Sequence, residues 1–576
     1  MDNLRNMILA IVLSALVLVG WSFVSNRYFP AANPPVTKVE DGKTKVLPNP
    51  GADPAADSPA ALRDRKVVIA STPRITIDTP SLFGSINLQG ARIDDLVLRK
   101  HKETIAPDSP PIRLLSPGGA AQAYFAGFGW TGAQGATTAL PGPATVWNTD
   151  SRRLAVGQPV TLSWNNGAGQ LFQIKISVDA DYMFSIEQRV TNAGVAPVAV
   201  RPYALVARYG ESPDPHDKRT WTIRTGPVGF WDGTDHYDIK YETLDKEGAQ
   251  GTRFKLDKGW LGFGDKYWLT ALIPDQKSKV DAALFAPNPG QYNAVFNAAQ
   301  PQAVPQGKAL VTTSRFFAGA KDVHLLERYE KEGATQIDLA IDWGWFYWFE
   351  LPIFYTLDWL FKLFNNFGVA IILLTCIVRG LMFPIAQRQF ASMAAMRTLQ
   401  PKMKELQERH KDDKPRLQQE MMELYKREKI NPLGGCAPIL LQIPVFYALY
   451  KVLMLTIEMR HQPFVLWIKD LSAPDPLTPV NLFGLLPFTP PGPLSIGVLA
   501  ILLGITMWLQ FKLNPQPMDD VQKQLFGFMP WVMMFVMAPF AAGLQLYWVM
   551  SNTLTILQQK WLYSRHPGMK VQAGKS

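Results

Sequence analysis

The sequence predicts a multi-domain membrane protein with six transmembrane α-helices, a large all-β domain on one side of the membrane and a helical hairpin on the other. Three observations predict it. Residues 7–24 and five later stretches are long apolar runs with almost no charge, the signal of membrane-spanning helices. Residues 65–339 break into short stretches of alternating apolar and polar residues separated by Gly, Pro, Asn and Asp, the signal of half-buried strands. The excess positive charge lies with the apolar runs: of the net +10 over 576 residues, segment 31–340 holds 34 Lys and Arg against 32 Asp and Glu, and residues 341–576 hold 22 against 15. That distribution marks basic loops on one face of a membrane and argues against nucleic acid as the main partner.

The elements follow in order. Residues 1–30 contain the 18-residue uncharged run Met7–Val24 and lack a small-x-small cleavage pattern after it, which predicts an uncleaved signal anchor with Arg5 on the cytoplasmic side. Residues 31–61, rich in Pro, Ala and Asp, read as a flexible linker. Residues 62–340 form the all-β domain, a sandwich, with alternation clearest at Arg74–Asp78, Phe172–Val178 and Phe184–Glu187. From Trp343 to Phe349 aromatic residues crowd together, so residues 341–357 read as an amphipathic helix lying in the membrane interface. Residues 358–565 form a five-helix core with spans near 359–383, 433–456, 495–512, 525–541 and 544–563, and residues 566–576 a tail. Eleven Lys and Arg between 385 and 430, against two in 457–494, put the first loop in the cytoplasm and the second outside with the β domain. Both chain termini then fall in the cytoplasm.

Two cysteines, Cys376 and Cys436, are too few for a disulfide framework or a cysteine metal site. Neither a phosphate-binding G-x-x-x-x-G-K-[ST] loop, nor H-E-x-x-H, nor G-x-S-x-G is present, so nucleotide hydrolysis and the familiar hydrolase sites are not indicated. His216 beside Asp214 and Asp217, and His236 beside Asp235 and Asp238, put imidazoles next to carboxylates, a pattern read here as solvated turns. No cofactor and no metal are expected.

Arg379 stands out. It follows an uncharged run of a predicted span, and no Asp or Glu lies within the later spans to neutralise it. An arginine in that position either faces a wet cavity or reaches out to headgroups. Thr375 shares its helical face, and Gln442, Gln545, Ser551, Asn552, Thr553 and Thr555 put neutral hydrogen-bonding groups in neighbouring spans, which favours a hydrated groove that receives an anion or a polar chain. Between 385 and 430 a hairpin of two amphipathic helices carries Met393, Met396, Arg397, Lys402, Met421 and Met422. Its methionine face suits varied apolar partners, its cations suit phosphate of lipid or RNA, and a hairpin packed on itself explains the same pattern. A small-solute transporter or channel using Arg379 as an anion site is the alternative; it calls for inverted repeats, and none are evident.

Several motifs in fixed order carry a resemblance. Val378-Arg379-Gly380, Ser392-Met393-Ala394-Ala395-Met396-Arg397, Leu399-Gln400-Pro401-Lys402, Gln419–Lys426, Asn431-Pro432-Leu433-Gly434-Gly435-Cys436 and Gln442-Ile443-Pro444-Val445-Phe446 resemble the YidC/oxidase-assembly/albino family of membrane-protein insertases, in its Gram-negative form. The resemblance implies an insertase and chaperone of the inner membrane that works without nucleotide hydrolysis, alone or beside the Sec translocon. It implies a periplasmic β domain of the supersandwich kind, and a substrate groove of Arg379, Thr375, Gln442, Tyr547, Trp548 and Ser551. Trp548 departs from the tyrosine that related sequences carry, and Tyr547 just before it retains the phenol. The partners implied are nascent membrane proteins, the Sec translocon with its accessory subunits, the ribosome with the signal-recognition-particle receptor, and anionic lipids.

Overall fold

The computed structural model describes residues 63–132, 138–212, 224–387, most of 399–428, and 437–565 apart from 484, 487, 489–494 and 514–519. The expected anchor and linker, Asp214, His216, Asp217, Met393, Met396, Arg397, Cys436 and the tail lie outside the described residues.

After a short helix, α1 (Arg65–Ala70), the chain runs through two large sheets. Among the described residues one has 11 strands; its main path leads from Thr252–Leu256 at one edge through Gln291–Ala298, Val198–Tyr209 and Tyr124–Gly132 to Arg74–Asp78, and ends on a parallel pairing with Arg153–Leu154. The other has 9 strands among the described residues and is centred on Trp268–Pro274, Lys308–Ala320 and Met183–Asn192. The sheets face each other through aromatic contacts: Trp130 of the first meets Phe172 of the second edge to face at 5.2 Å, and Phe128 meets Phe316 at 6.2 Å. The hydroxyls of Tyr124 and Thr270 lie 2.6 Å apart across the same core. A buried Arg208–Asp265 pair at 2.9 Å is included, with Arg208 over the Tyr124 ring. The expected sandwich is therefore present. Alternation holds where it was read, for burial alternates from Phe172 to Val178. Gly226–Trp231 and Trp260–Gly264 are buried on both faces and show no alternation. A small helix, α2 (Tyr241–Glu247), lies between these two strands in sequence.

The helical part begins with α3 (Val323–Lys331), capped by Asp322, whose carboxylate accepts from Leu325 N at 2.8 Å. Then come α4 (Tyr347–Phe364), α5 (Phe367–Leu381), α6 (Lys414–Arg427), α7 (Ala437–Leu455), α8 (Val498–Leu513), α9 (Asp520–Met537) and α10 (Ala542–Arg565). The division expected near residue 358, between an interfacial helix and the first core span, is not where the chain breaks. One helix runs to Phe364, and the break falls at Asn365, which takes the left-handed conformation (φ 51°) that ends helices, followed by Asn366, whose side chain caps α5 by accepting from Val369 N. Taken one at a time, no helix among the described residues is long and apolar enough to cross a membrane. Helices α5 and α8 have 15 and 16 residues, and α4 carries Glu350, Asp358 and Lys362.

Arg460 ties the β domain to the helical part, and further contacts tie α3 and the segment after it to the later helices. Arg460 donates to the carbonyls of Lys102 (2.8 Å) and Glu103 (3.2 Å), with its guanidinium 5.4 Å from the Trp268 ring. Val323 N donates to Glu458 Oε1 at 3.0 Å. The His324 ring and Asp358 meet at 2.9 Å, and Lys451 Nζ donates to the Asp342 carbonyl at 2.8 Å.

Candidate functional site

Three helices build the site. Helix α5 packs against α4 and α10, and α7 against α4 and α10. Arg379 lies in the last turn of α5, where a cation is favoured by the carbonyl end of the helix. Its guanidinium donates from Nε and a terminal nitrogen to the Ser551 hydroxyl of α10, at 3.1 and 2.5 Å. One turn earlier on α10, Tyr547 is almost fully buried and its hydroxyl accepts from Gln442 Nε2 of α7. Tyr547 and Ser551 are four apart, so they share a face of α10. The result is a chain of neutral groups from Gln442 through Tyr547 to Ser551 that ends on a cation. Among the described residues no carboxylate forms an ion pair with Arg379.

The other polar residues of α10 make separate bonds. Asn552 Nδ2 donates to Thr506 of α8 at 3.2 Å. Seven residues earlier, Gln545 donates to the carbonyls of Met537, Ala538 and Phe540 and closes the end of α9. Thr553 and Thr555 bond back to carbonyls one turn before them. These four serve packing. Of the six expected groove residues, the fold brings Arg379, Ser551, Tyr547 and Gln442 together. Thr375 spends its hydroxyl on the Ile371 carbonyl of its own helix at 2.6 Å, and Trp548 packs on Phe446 at 4.7 Å.

In the hairpin, Leu399, Met403 and Leu424 are buried together, with Met421 half-buried against them. Lys402 pairs with Glu428 at 2.9 Å, and Met422 is exposed. Part of the methionine face thus holds the hairpin together.

Two features escaped the sequence reading. Lys451 of α7 is only 3 % exposed, and Glu350 of α4 is fully buried nearby, its carboxyl pushed up to about 7 by burial and held from rising further by Lys451. Lys451 was masked by the apolar residues around it. The second is a cavity of 1200 Å³ at the junction with the β domain, lined by Arg224, Asp235, Asp338, Asp342, Tyr447 and Lys451 among others. His236 stands at its edge, stacked on Trp231 at 3.8 Å. Among the described residues, no three His, Cys, Asp or Glu gather as a metal would require.

The fold and site define an all-β domain joined to a helical core that presents an arginine to neutral polar groups. Two family models match end to end, one described as the YidC periplasmic domain over residues 74–356 and one as the 60Kd inner membrane protein over residues 359–569. The chain is 47% identical over 564 residues to the membrane protein insertase YidC of Zymomonas mobilis, covering 98% of this chain and 95% of that one. It is 45% identical over 598 residues to that of Nitrobacter hamburgensis, covering 99% and 97%. Among solved structures it resembles an active YidC insertase with its first transmembrane domain resolved, at 17% identity, 84% and 92% coverage and a TM-score of 0.35. It also resembles a galactose mutarotase related enzyme from Lactobacillus acidophilus, at 9% identity, 42% and 97% coverage and a TM-score of 0.30. The chain belongs to the YidC family of membrane protein insertases, proteins of the bacterial inner membrane with a periplasmic β domain.

Proposed function

We propose that the chain inserts nascent membrane proteins by admitting the polar tail of a substrate to a hydrated groove around Arg379, alone or beside the Sec translocon. The observation that carries this reading is the partner of that arginine. A guanidinium held by one serine hydroxyl, with neutral Tyr547 and Gln442 beyond it, keeps its charge for an incoming anion. A carboxylate on a translocated tail is a better acceptor than a hydroxyl, so the Ser551 contact gives way when the tail arrives. The groove lowers the cost of bringing polar groups partway across. The substrate's apolar segment then leaves along α7 and α10 into lipid, its burial favouring release by ~25 cal/mol per Å². No covalent bond is made or broken in this scheme.

The same reading has six spans, with both termini and the hairpin of residues 385–430 in the cytoplasm. The eleven cations of that hairpin support it, and they suit anionic lipid headgroups or a ribosome. Docking of the Sec translocon with its accessory subunits, and of the signal-recognition-particle receptor, belongs to this reading as well. The test is insertion of substrates that differ only in tail charge. Arg379→Ala is expected to impair substrates with acidic translocated tails, and Arg379→Lys to retain them. Equal insertion of acidic-tailed substrates by Arg379→Ala and the unaltered protein would refute the groove.

A further inference from the structure

The connection between α7 and α8 holds large apolar side chains out in an unfavourable backbone conformation. Leu466 (φ 56°), Leu482 (φ 51°) and Phe483 (φ 57°) all lie in the left-handed region, which bulky residues avoid and which persists only where surrounding bonds impose it. Those bonds are present. Phe464 N donates to the Ile468 carbonyl at 2.9 Å, Phe483 N to Thr478 at 2.9 Å, and Leu486 N to Asn481 at 3.1 Å. The turns so fixed expose Leu466 and Leu485, each 82 % exposed, and leave Phe483 54 % exposed.

The composition of the surface is equally one-sided. From Leu471 to Phe511 Asp475 is the single charged residue. It is buried, and its carboxylate accepts from Trp467 Nε1 (3.0 Å), Leu477 N (3.0 Å) and Leu499 N (2.8 Å), so it ties both turns to the start of α8. Gly497 is what lets it in, since a Cβ there would lie 2.5 Å from the Asp475 Cβ. That uncharged stretch holds the turn at Leu482, Phe483 and Leu485 and the exposed Leu502, Ile505 and Trp508 of α8, while the turn at Leu466 is followed by Lys469 and Asp470. A watered surface this large carries charges, and an uncharged, aromatic-bearing one belongs in lipid.

We infer that the two turns, at Leu466 and at Leu482, Phe483 and Leu485, dip into the outer leaflet of the bilayer as a membrane-seated knob, with Asp475 as the residue that positions them. The inference rests on the proposed orientation, in which this loop lies outside. Lipid is the occupant because the exposed apolar side chains of the second turn have no charged residue among them, and the loop that carries them is bonded to the start of a helix of the membrane core, Val498 N donating to the Leu477 carbonyl at 3.0 Å.

The test uses the full chain with Cys376→Ser and Cys436→Ser, a single cysteine at Leu485→Cys or Leu466→Cys, and Val195→Cys in the β domain as an exposed reference. Each carries an environment-sensitive fluorophore and is reconstituted in phosphatidylethanolamine and phosphatidylglycerol vesicles. The two loop probes are expected to be quenched by lipids brominated on their acyl chains, and by iodide at least threefold less than the Val195 probe. Iodide quenching equal to that at Val195 overturns the inference. So does protection from both quenchers, which would mean that a protein or a second copy covers the turns. Labelling of Lys469→Cys by an impermeant maleimide checks the orientation separately: reaction from the cytoplasmic face alone would refute the orientation and leave the lipid quenching to be judged by itself.

Discussion

Replacing Ser551 by aspartate tests whether the arginine has to stay available. The hydroxyl there accepts two hydrogen bonds from Arg379, at 3.1 and 2.5 Å, so a carboxylate in its place lies at about 3 Å from the guanidinium. At an effective dielectric of ~20 such a pair attracts by roughly 5 kcal/mol, and desolvating the new charge opposes this by several kcal/mol. The net change in stability is expected to stay within about 2 kcal/mol. Function is expected to change far more. A tail carboxylate would have to displace a tethered one, and every ~1.4 kcal/mol of that competition lowers occupancy tenfold. Insertion of an acidic-tailed single-span substrate, read by protease protection in proteoliposomes, is expected to fall tenfold or more, to the level of Arg379→Ala. A substrate with an uncharged tail is expected to insert as before. Undiminished insertion of the acidic-tailed substrate by a folded Ser551→Asp protein would refute the reasoning, because a neutralised arginine would then serve as well as an available one.

Two further predictions concern the joints of the molecule. Burial, reinforced by Asp322, raises the Glu458 carboxyl from 4.5 to about 8; because the folded value is the higher, its contribution to stability is whole below about 4.5, declines as pH rises through 4.5 to 8, and is gone above that. Thermal unfolding at pH 6 and 8.5 is expected to show this decline in the unaltered protein and a flatter profile in Glu458→Gln, which keeps an acceptor for Val323 N; equal slopes would contradict the assignment. At Gly368 an added Cβ would lie 2.0 Å from the Phe464 ring, so Gly368→Ala is expected to cost about 1–3 kcal/mol by overpacking. Combination with Phe464→Leu is expected to restore part of it, and additive losses measured by denaturant unfolding would count against the contact.

Much of this architecture was legible because it repeats a local pattern. The strand through Phe172–Val178 alternates, and the change at Trp343 from strand-like to aromatic sequence falls close to the first turn before α4. Gly226–Trp231 and Trp260–Gly264 were harder to read because burial on both faces removes the alternation. The break at Asn365 was hidden because two asparagines inside an apolar stretch do not disturb its hydropathy, although their capping chemistry sets the boundary. At the site, Arg379 was conspicuous as a charge in an uncharged run. Its pairing with Ser551 joins residues 172 apart in sequence, a distance over which spacing carries no information. Thr375 and Trp548 had suitable chemistry, but the first turns back on its own helix and the second faces Phe446.

The attachment of α5 has a mechanical consequence. At its N-terminal end Asn366 both caps the helix and donates to the Phe464 carbonyl at 3.1 Å, so that end is moored to the loop. At the other end the guanidinium of Arg379 is tied by a single hydroxyl. Twelve to thirteen residues at ~1.5 Å each make a lever of about 20 Å. A tilt of about 5° at the moored end displaces the arginine by roughly 1.7 Å, enough to part it from Ser551. On the proposed function, a movement that small at the Asn366 end would make or break a whole hydrogen bond at Arg379, and a substrate tail that shifted the helix would release the charge that receives it.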